Sequence, residues 1–543
     1  MSAALGVAAL LGGAVGLLHG RAAGLWWTND DFYAIHLLWK KSVPEALLST
    51  GAWRQSRMFT PLLLVSFDAD LHAFGLRPRV FYAHQLAALA GAAAALYVAL
   101  RLWLPRGAAL VASLLFLCGV PTIAWSRELL VRQYAEGLIL AALATRLFVL
   151  SVRRDRAAPA WGSALLYLGA MLEKEVYVPL VALLVLLPES DARRRLRRLV
   201  PHGVAVAAYV AARWAVLGTP GGGYGWTVRA GELPGVIARL PAAAARSLLS
   251  GSAWDWVLLV ALAAGVAAAL WVSGRRGAGL FAAALVLALA PVVPVAKAFQ
   301  DRYAGLAWVA VCAAFGFGCA ALARRGRAPA AAGLAASALV AAVLVQRRAG
   351  ESRWATAERM SAEGMSFMGM SAGEHLRHPA IPPAAMVELR WLKEDGLGRA
   401  RGARWFADDL YLCEHPDRIS RLYSYDGAAH GVVDETGGLA RERSRYCGEI
   451  RDAPLSGVFS HDAGDFFWEL GPYETGRYSI VYGDGVERFD VARRDGYRRH
   501  ASVFTLRIRY ESPEGWLTFS PDIPLDFRAS RRIEWRRGGR SES

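Results

Sequence analysis

The sequence predicts an α-helical polytopic membrane domain followed by a soluble, mainly β domain. The chain has 543 residues, of which 55% are hydrophobic, and the apolar residues are distributed unevenly. Residues 1 to about 346 form Ala-, Leu- and Val-rich runs that short arginine clusters interrupt. Beyond this point no run reaches the roughly 17–25 apolar residues that a spanning helix requires. We therefore predict a membrane domain over 1–346, a juxtamembrane connector over 347–402 and a soluble domain over 403–543.

About eleven apolar segments qualify as candidate spans. The first lacks a basic flank, and we interpret it as an uncleaved anchor because the following loop would otherwise lose its membrane attachment. An odd number of spans places the two ends of the chain on opposite sides. The segments are 3–19, 82–104, 107–124, 134–152, 158–173, 175–188, 200–217, 254–272, 279–296, 304–323 and 329–346.

Arginine clusters occupy every second short loop. Examples are "RRDR" at 153–156, "RRRLRR" at 193–198 and "RRGR" at 324–327. The positive-inside rule assigns such loops to the cytoplasm, which also explains the net charge of +16 without nucleic-acid binding. High Ala and Arg content favours a bacterial source. We expect a multi-pass protein of the bacterial inner (cell) membrane whose carboxy-terminal domain is extracytoplasmic.

Acidic and basic residues gather on the opposite, outer side. Asp30 and Asp31 follow the first span in "LWWTNDDFY". A carboxylate there could take a proton from a hydroxyl group, or the same stretch could cap a helix that begins near Phe32. The other outer candidates are Arg127, Glu128, Lys174, Glu175, Lys297, Asp301 and Arg302. Each small cluster alone is explained equally well by an interfacial salt bridge.

The long first outer loop adds two candidates, Arg57 and His84. Residues 54–84 have helical spacing, but charged residues interrupt the apolar pattern, which favours an interfacial helix over a span. His84 lies at the outer start of the next span. A lone histidine in such a place is usually structural.

Six pieces of sequence occur in an order that resembles a known family. They are "TNDDFY", "RMFTPLLLVSFDAD", "FGLRPRVFYAH", "SRELL", "EKEVYVPLVALL" and "QDRYAGL". Together they resemble the polytopic GT-C glycosyltransferases, and in particular the protein O-mannosyltransferase-like group, over roughly residues 1–345. The chain departs from that group at 59–61, where Tyr-Arg-Pro is common, and at 304–306, where a second tyrosine and a proline usually follow.

The resemblance implies a reaction. A sugar would move from a polyprenyl-phosphate donor to a hydroxyl of a protein, lipid or glycan acceptor on the outer face, with inversion expected for a single displacement. Asp30 or Asp31 would be the general base, and Glu128 would orient the acceptor or a metal. The donor is already activated, so no cofactor is required; a divalent metal stays open, and no metal ligands are assigned.

The resemblance also implies substrate-binding residues. Lys174, Lys297 or Arg302 would neutralise the leaving phosphate, because a displaced anion near hydrocarbon needs a cation. The further candidates are Arg57, His84, Arg127, Glu175 and Asp301. Two other functions stay open: a transporter or flippase of an anionic lipid-linked substrate, and an inactive anchor that displays the β domain. A transporter would need polar residues at mid-membrane, whereas the spans are Ala/Leu/Val-rich at their centres.

The soluble part reads as short aromatic and β-branched strands separated by turn residues. "YGDGVE" is a hairpin signal, and we expect an antiparallel sheet or sandwich. The domain is either a folded appendage or a carbohydrate-recognition unit that exposes Trp468 and Tyr473. Cys413 and Cys447 are predicted to form a disulfide if this part is outside the cytosol. The other three cysteines lie in apolar runs.

Overall fold

A computed structural model of the chain describes residues 2–28, 30–50, 53, 58–218, 230–397, 402–462, 465–483, 485–498 and 502–537. The chain forms two compact units, Met1–Ala357 and Glu358–Ser543. The first unit is helical, and the second is built from strands with short helices.

The helices of the first unit are numbered in chain order. They are α1 (Ser2–His19), α2 (Asp31–Lys40), α3 (Val43–Leu48), α4 (Pro61–Phe74), α5 (Pro78–Leu100), α6 (Arg106–Leu117), α7 (Pro121–Arg127), α8 (Arg132–Arg153), α9 (Ala158–Glu173), α10 (Leu180–Leu186), α11 (Ala192–Leu217), α12 (Leu233–Arg246), α13 (Trp254–Leu289), α14 (Gly305–Arg324) and α15 (Ala328–Gly369). Short 3₁₀ turns precede several of them, including Leu129–Val131, Glu175–Tyr177, Ala290–Ala298 and Asp301–Ala304.

Proline and glycine mark several helix ends. Pro61, Pro78 and Pro121 each stand in the first turn of a helix, where the missing N–H would have no intrahelical acceptor. Gly75 ends α4 with a φ of 66°, a backbone conformation that other residues rarely adopt. These boundaries separate α4 from α5, the helix that carries the candidate residue His84.

The number of long apolar helices is smaller than the sequence predicted. Among the described residues seven helices are long and apolar enough to cross a membrane, or eight if the bent pair α6 and α7, which differ by 67°, is one span. The predicted eleven counted 158–173 and 175–188, whose helices are too short. It also divided 254–296 into two segments; two helices do meet there at a kink, where Gly274 has non-helical geometry, and the count of seven takes this kinked stretch as a single helix.

Helices α13 and α14 approach each other at small residues. A Cβ atom built on Gly318 would lie 1.9 Å from the carbonyl oxygen of Gly265, so the two backbones are in contact there. A Cβ on Gly265 would in turn meet the ring of Phe315. Small residues allow this close packing between apolar helices, where little hydrophobic driving force is available in a bilayer.

The second unit begins with a mixed sheet of order β2-β1-β3-β4, in which β1 is parallel to β2 and β3. Its strands are β1 (Glu374–Arg377), β2 (Arg404–Phe406), β3 (Arg421–Asp426) and β4 (Gly431–Asp434), and its helices are α16 (Pro383–Leu392), α17 (Leu410–Glu414) and α18 (Leu439–Glu449). The segment 347–402 is therefore not a connector alone. It completes α15 and supplies β1 and α16, because the hydrogen bonds of β2 and β3 need β1 between them.

The remainder of the second unit is a β-sandwich, as predicted. One sheet has the order β11-β10-β7-β8 with β12 paired to β10, and the other has the order β13-β5-β6-β9. The strands are β5 (Ser456–Asp462), β6 (Asp465–Gly471), β7 (Arg477–Tyr482), β8 (Glu487–Val491), β9 (Arg494–Arg498), β10 (Val503–Glu511), β11 (Leu517–Phe519), β12 (Ile523–Asp526) and β13 (Arg532–Arg536). The predicted hairpin is present between β7 and β8, where Tyr482 pairs with Glu487.

Trp468 belongs to the sandwich core and Tyr473 packs against it, although one of the two alternatives for this domain had both rings exposed. Trp468 is 6% exposed, and its indole N–H donates to the carbonyl of Ala492. Tyr473 stacks on Tyr510 with ring centroids 4.1 Å apart. The alternative in which both rings are exposed for carbohydrate or acceptor recognition is therefore wrong for Trp468, whose burial helps to hold the two sheets together, whereas Tyr473 is only partly buried.

The disulfide expected from the sequence is present. Cys413 of α17 and Cys447 of α18 are bonded, with their Cα atoms 5.9 Å apart. Along the chain α17 lies between β2 and β3, and α18 follows β4, so the bond joins a helix within the mixed sheet to the helix that precedes the sandwich. Cys118, Cys312 and Cys319 are buried free thiols of the first unit.

Candidate functional site

Asp31 is a buried carboxylate at the start of α2. Its two oxygens accept hydrogen bonds from the backbone N–H groups of Thr28, at 3.0 Å, and Leu130, at 3.2 Å. Burial raises the pKa of Asp31 to about 8, although both hydrogen bonds oppose the shift. Asp31 therefore joins the start of α2 to the turn Leu129–Val131, with Leu130 lying 99 residues away in the sequence.

Asp30 is the neighbour with an accessible carboxylate. Its side chain reaches solvent, yet protein surrounds it closely on the other sides. This partial burial raises the pKa of Asp30; the charge of Arg302 opposes the shift and that of Glu128 adds to it. Asp30 is thus within electrostatic range of two other predicted site residues. Its raised proton affinity suits a general base that works near neutral pH.

Glu128 is held between two guanidinium groups. Arg127 Nη2 donates to Glu128 Oε1 at 2.9 Å, and Arg302 Nη1 donates to Glu128 Oε2 at 2.7 Å. All three side chains are about one-fifth exposed. Charge-assisted bonds of this kind fix the orientation of both partners. The structure therefore brings together Asp30, Asp31, Arg127, Glu128 and Arg302 from three separate stretches of the sequence.

A residue that the sequence analysis missed completes this cluster. Arg353 of α15 donates through Nε to Asp301 Oδ2 at 2.6 Å, and its carbonyl accepts from Arg127 Nη1 at 2.7 Å. Asp301 therefore has a structural partner, and its neighbour Arg302 is held in place. Arg353 lies outside every recognised motif, because α15 reads from sequence as an apolar span that ends near residue 346.

Lys174 and Glu175 form a second, separate pair. Lys174 Nζ lies 3.3 Å from Glu175 Oε1, and Arg213 of α11 lies 3.8 Å from Glu175 Oε2. Lys174 and Arg213 are both buried. The turn that contains Glu175 contacts the segment Ala290–Ala298. The structure thus gives both predicted residues ionic partners and places them beside the stretch that carries Lys297.

Lys297 borders an open cleft of about 450 Å³ between α12 and the turn Ala290–Ala298. Its Nζ pairs with Glu232 at 2.9 Å. Arg239 and Arg246 also line the cleft, and neither forms an ion pair within the part of the chain that the structure describes. Helix α12 contacts the turn Asp301–Ala304, which places this basic cleft next to the segment of Arg302.

His84 belongs to a polar network around Arg132 instead of to the Asp30 cluster. His84 Nδ1 lies 2.8 Å from Asp70 Oδ1, and Nε2 lies 3.4 Å from Glu136 Oε1. Arg132 is fully buried and donates to Asp70 Oδ2 at 2.6 Å. Asp70 is buried too, so α4 is more than an interfacial helix. The predicted substrate-binding residue Arg57 lies outside the described residues.

Arg132 and Glu136 are residues that the sequence analysis overlooked. Both occur in "VRQYAEG" at the start of an apolar span, and ionisable residues in such spans are rare and expensive. That signal could have identified them. Among the described residues no group of three or more His, Cys, Asp or Glu side chains is arranged to hold a metal ion.

Two of the arginine-rich short loops, which the sequence assigned to one side of the membrane, contact each other. Asp155 of the first loop pairs with Arg197 at 2.9 Å and Arg198 at 2.8 Å of the second. Arg153 pairs with Glu189 at 2.8 Å, and Glu189 also accepts from the indole of Trp103. The two loops that the positive-inside rule assigned to one side are therefore in direct contact.

No family model and no curated protein matches the sequence. Among solved structures, the chain is similar to the crystal structure of ArnT from Cupriavidus metallidurans bound to undecaprenyl phosphate. The two are 14% identical, the alignment covers 81% of this chain and 98% of that chain, and the TM-score is 0.42. The proposal for the function of the chain therefore rests on its own residues and their contacts.

Proposed function

We propose that this chain is a membrane glycosyltransferase that moves a sugar from a polyprenyl-phosphate donor to an acceptor hydroxyl. One observation carries the proposal: Asp30, an accessible carboxylate with raised proton affinity, lies beside the ion pair of Glu128 and Arg302. An inactive membrane anchor that displays the β domain does not require such an arrangement. The ordered sequence resemblance to GT-C glycosyltransferases supplies the substrate class.

The two aspartates take different roles in this proposal. Asp30 is the base that accepts the proton of the acceptor hydroxyl, because its carboxylate is reachable from solvent. Asp31 is the structural partner, since both of its oxygens are occupied by backbone N–H donors. Glu128 orients the acceptor and keeps Arg302 in place. A divalent metal is not required by any of these roles.

The basic cleft is the site proposed for the leaving phosphate. Of the three cations considered from the sequence, Lys174 and Arg302 are committed to Glu175 and Glu128. Lys297 also has an acidic partner, but it shares its cleft with Arg239 and Arg246. A group of cations with excess positive charge suits a phosphate that gains charge as it departs.

The proposed reaction is a single displacement. The acceptor oxygen forms a bond to the anomeric carbon while its proton passes to Asp30. The bond between the anomeric carbon and the phosphate oxygen breaks, and the electron pair leaves with the carrier phosphate. Because one displacement occurs at the carbon, the product has inverted configuration. We place this site on the outer face of the membrane, opposite the arginine-rich loops.

Incubation of the purified protein with a panel of polyprenyl-phosphate sugars tests the proposal. We expect release of carrier phosphate that depends on an added acceptor and occurs with detergent-solubilised protein. A transporter of the same lipid would bind the donor and would move it across liposomes, but it would leave the sugar–phosphate bond intact. Transport without any bond cleavage across the panel would therefore replace this proposal with the transporter alternative.

A further inference from the structure

The turn Leu129–Val131 positions two of the site carboxylates, those of Glu128 and Asp31. Glu128 immediately precedes the turn and carries the ion pair with Arg302. Within the turn, Leu130 donates its backbone N–H to Asp31. The position of this three-residue turn therefore sets the distance between Glu128 and the Asp30–Asp31 pair. Whatever holds the turn in place also holds the site together.

Gln85 of α5 holds that turn. It is fully buried, and its Nε2 donates to the carbonyl of Trp125 and to the carbonyl of Glu128, the latter at 3.3 Å. Tyr82 lies three residues earlier on the same helix face, with its hydroxyl 3.3 Å from the carbonyl of Arg127 and 3.1 Å from that of Trp26. The face of α5 that contains Tyr82 and Gln85 thus contacts both halves of the site.

Arg132 determines which way the amide of Gln85 points. Arg132 Nε donates to Gln85 Oε1 at 3.2 Å, and a guanidinium can only donate. The oxygen of the amide must therefore face Arg132, which leaves the NH₂ group for the two carbonyls. Arg132 is itself fixed by Asp70 at 2.6 Å and by the carbonyl of Phe81 at 2.8 Å.

We propose that Gln85 is a positioning residue of the candidate active site, with its orientation locked by Arg132 and Asp70. The buried network around Arg132, which has no role in the proposed reaction itself, would then orient Gln85. This inference rests on the proposed function for its meaning in catalysis. The geometric part concerns the Asp31–Leu130 contact and can be measured without any substrate.

The titration of Asp31 reports on that contact. If the turn moves, Asp31 loses the N–H of Leu130, and hydrogen bonds to a carboxylate lower its pKa. Loss of one bond to a charged group corresponds to an upward shift of about one pH unit. The other titratable groups that face Asp31 are Asp30, Glu128 and Tyr82, and they are unchanged in the variants below.

Infrared titration of the carboxyl band tests the proposal, with the spectrum of Asp31→Asn subtracted to isolate Asp31. We expect the apparent pKa of Asp31 to rise by about one unit in Gln85→Met, which keeps the side-chain length. Gln85→Leu is the second variant, because it removes the NH₂ donor without adding a charged group near Asp31. It should shift the pKa in the same direction.

Gln133→Met is the matched control. Gln133 is a buried glutamine of the adjacent helix, and its Oε1 has no hydrogen-bond partner among the described residues. The control should titrate like the wild type. Unchanged Asp31 titration in both Gln85 variants would overturn the inference, whether or not the wild type transfers sugar. Absence of transfer by the wild type, with the shift present, would instead contradict only the proposed function.

Discussion

Arg302 donates to Glu128 across 2.7 Å and so connects two stretches that lie 174 residues apart in the sequence. Glu128 follows α7, and Arg302 lies in the turn before α14. The same carboxylate accepts from Arg127, so one acid orients two guanidinium groups. Because Arg302 also lies within electrostatic range of Asp30, this ion pair links the proposed base to the turn that precedes α14.

A double-mutant cycle measures this link. Glu128→Gln and Arg302→Gln should each reduce the rate of sugar transfer, because each leaves one charge of a partly buried pair without its partner. The double variant should be less impaired than the product of the two single effects, with a coupling of about 1–3 kcal/mol. Glu351→Gln, which removes the exposed partner of Arg348, is the control for a surface pair. Strict additivity at Glu128 and Arg302 would contradict a functional link.

Asp31 should make the stability of the protein depend on pH. Its pKa is about 8 in the folded chain against 3.8 for the free group, so the folded state keeps a proton that the unfolded state loses. The resulting stability is present below about pH 4 and is lost as the pH rises to about 8. Thermal unfolding in detergent should show that Asp31→Asn gains stability relative to the wild type over this range. A constant difference between the two proteins would contradict the assigned burial.

The cleft beside Lys297 should govern donor binding. Arg246→Gln removes a cation that has no ionic partner among the described residues, so the fold should tolerate it while the KM for the polyprenyl-phosphate donor rises several-fold. Arg276→Gln, at the break in α13, serves as the control because it lies in an arginine cluster assigned to the other side. Equal KM values for Arg246→Gln and the wild type would exclude the cleft as the phosphate site.

The proposed orientation predicts both the compartment of the arginine-rich loops and the redox state of Cys413 and Cys447. Reporter fusions at Arg154 and Arg325 should read as cytoplasmic. Cys413 and Cys447 should be oxidised in cells, and their loop of 34 residues corresponds to about 3–4 kcal/mol in the chain-entropy model. The double variant Cys413→Ser/Cys447→Ser should therefore have a lower unfolding temperature of the second unit. Cys118→Ala, which removes a free thiol, should not alter electrophoretic mobility. Reduced cysteines in cells would contradict the extracytoplasmic placement.

The sequence predicted the meeting of Glu128 and Arg302 because both lie beside predicted span ends on one side. Helix ends of a bundle converge there, whatever the order of the helices. The same logic assigned the loops of Asp155 and Arg198 to one side, and their contact agrees with that assignment. Charged residues at span ends can thus be assigned to one side of the membrane without any knowledge of helix packing.

Contacts inside the bundle could not be predicted in this way. Gln85 and Arg132 contact each other because α5 packs against α8. The apolar pattern of the sequence predicts neither which helices pack together nor how each helix is rotated about its axis. Arg353 was not predicted as a site residue because the helix that carries it has 42 residues and continues past residue 346, where the predicted span ends. Trp468 was misplaced because alternation along β6 does not say which face is covered.

The most direct test compares the wild type with Asp30→Asn for the release of carrier phosphate from polyprenyl-phosphate sugars in the presence of an acceptor. We expect release by the wild type and a loss of roughly 10²–10⁴-fold in the variant, which keeps the volume of the side chain but removes the base. Both proteins should accumulate to the same amount in membranes. Equal release by the wild type and Asp30→Asn would contradict the assignment of Asp30 as the base.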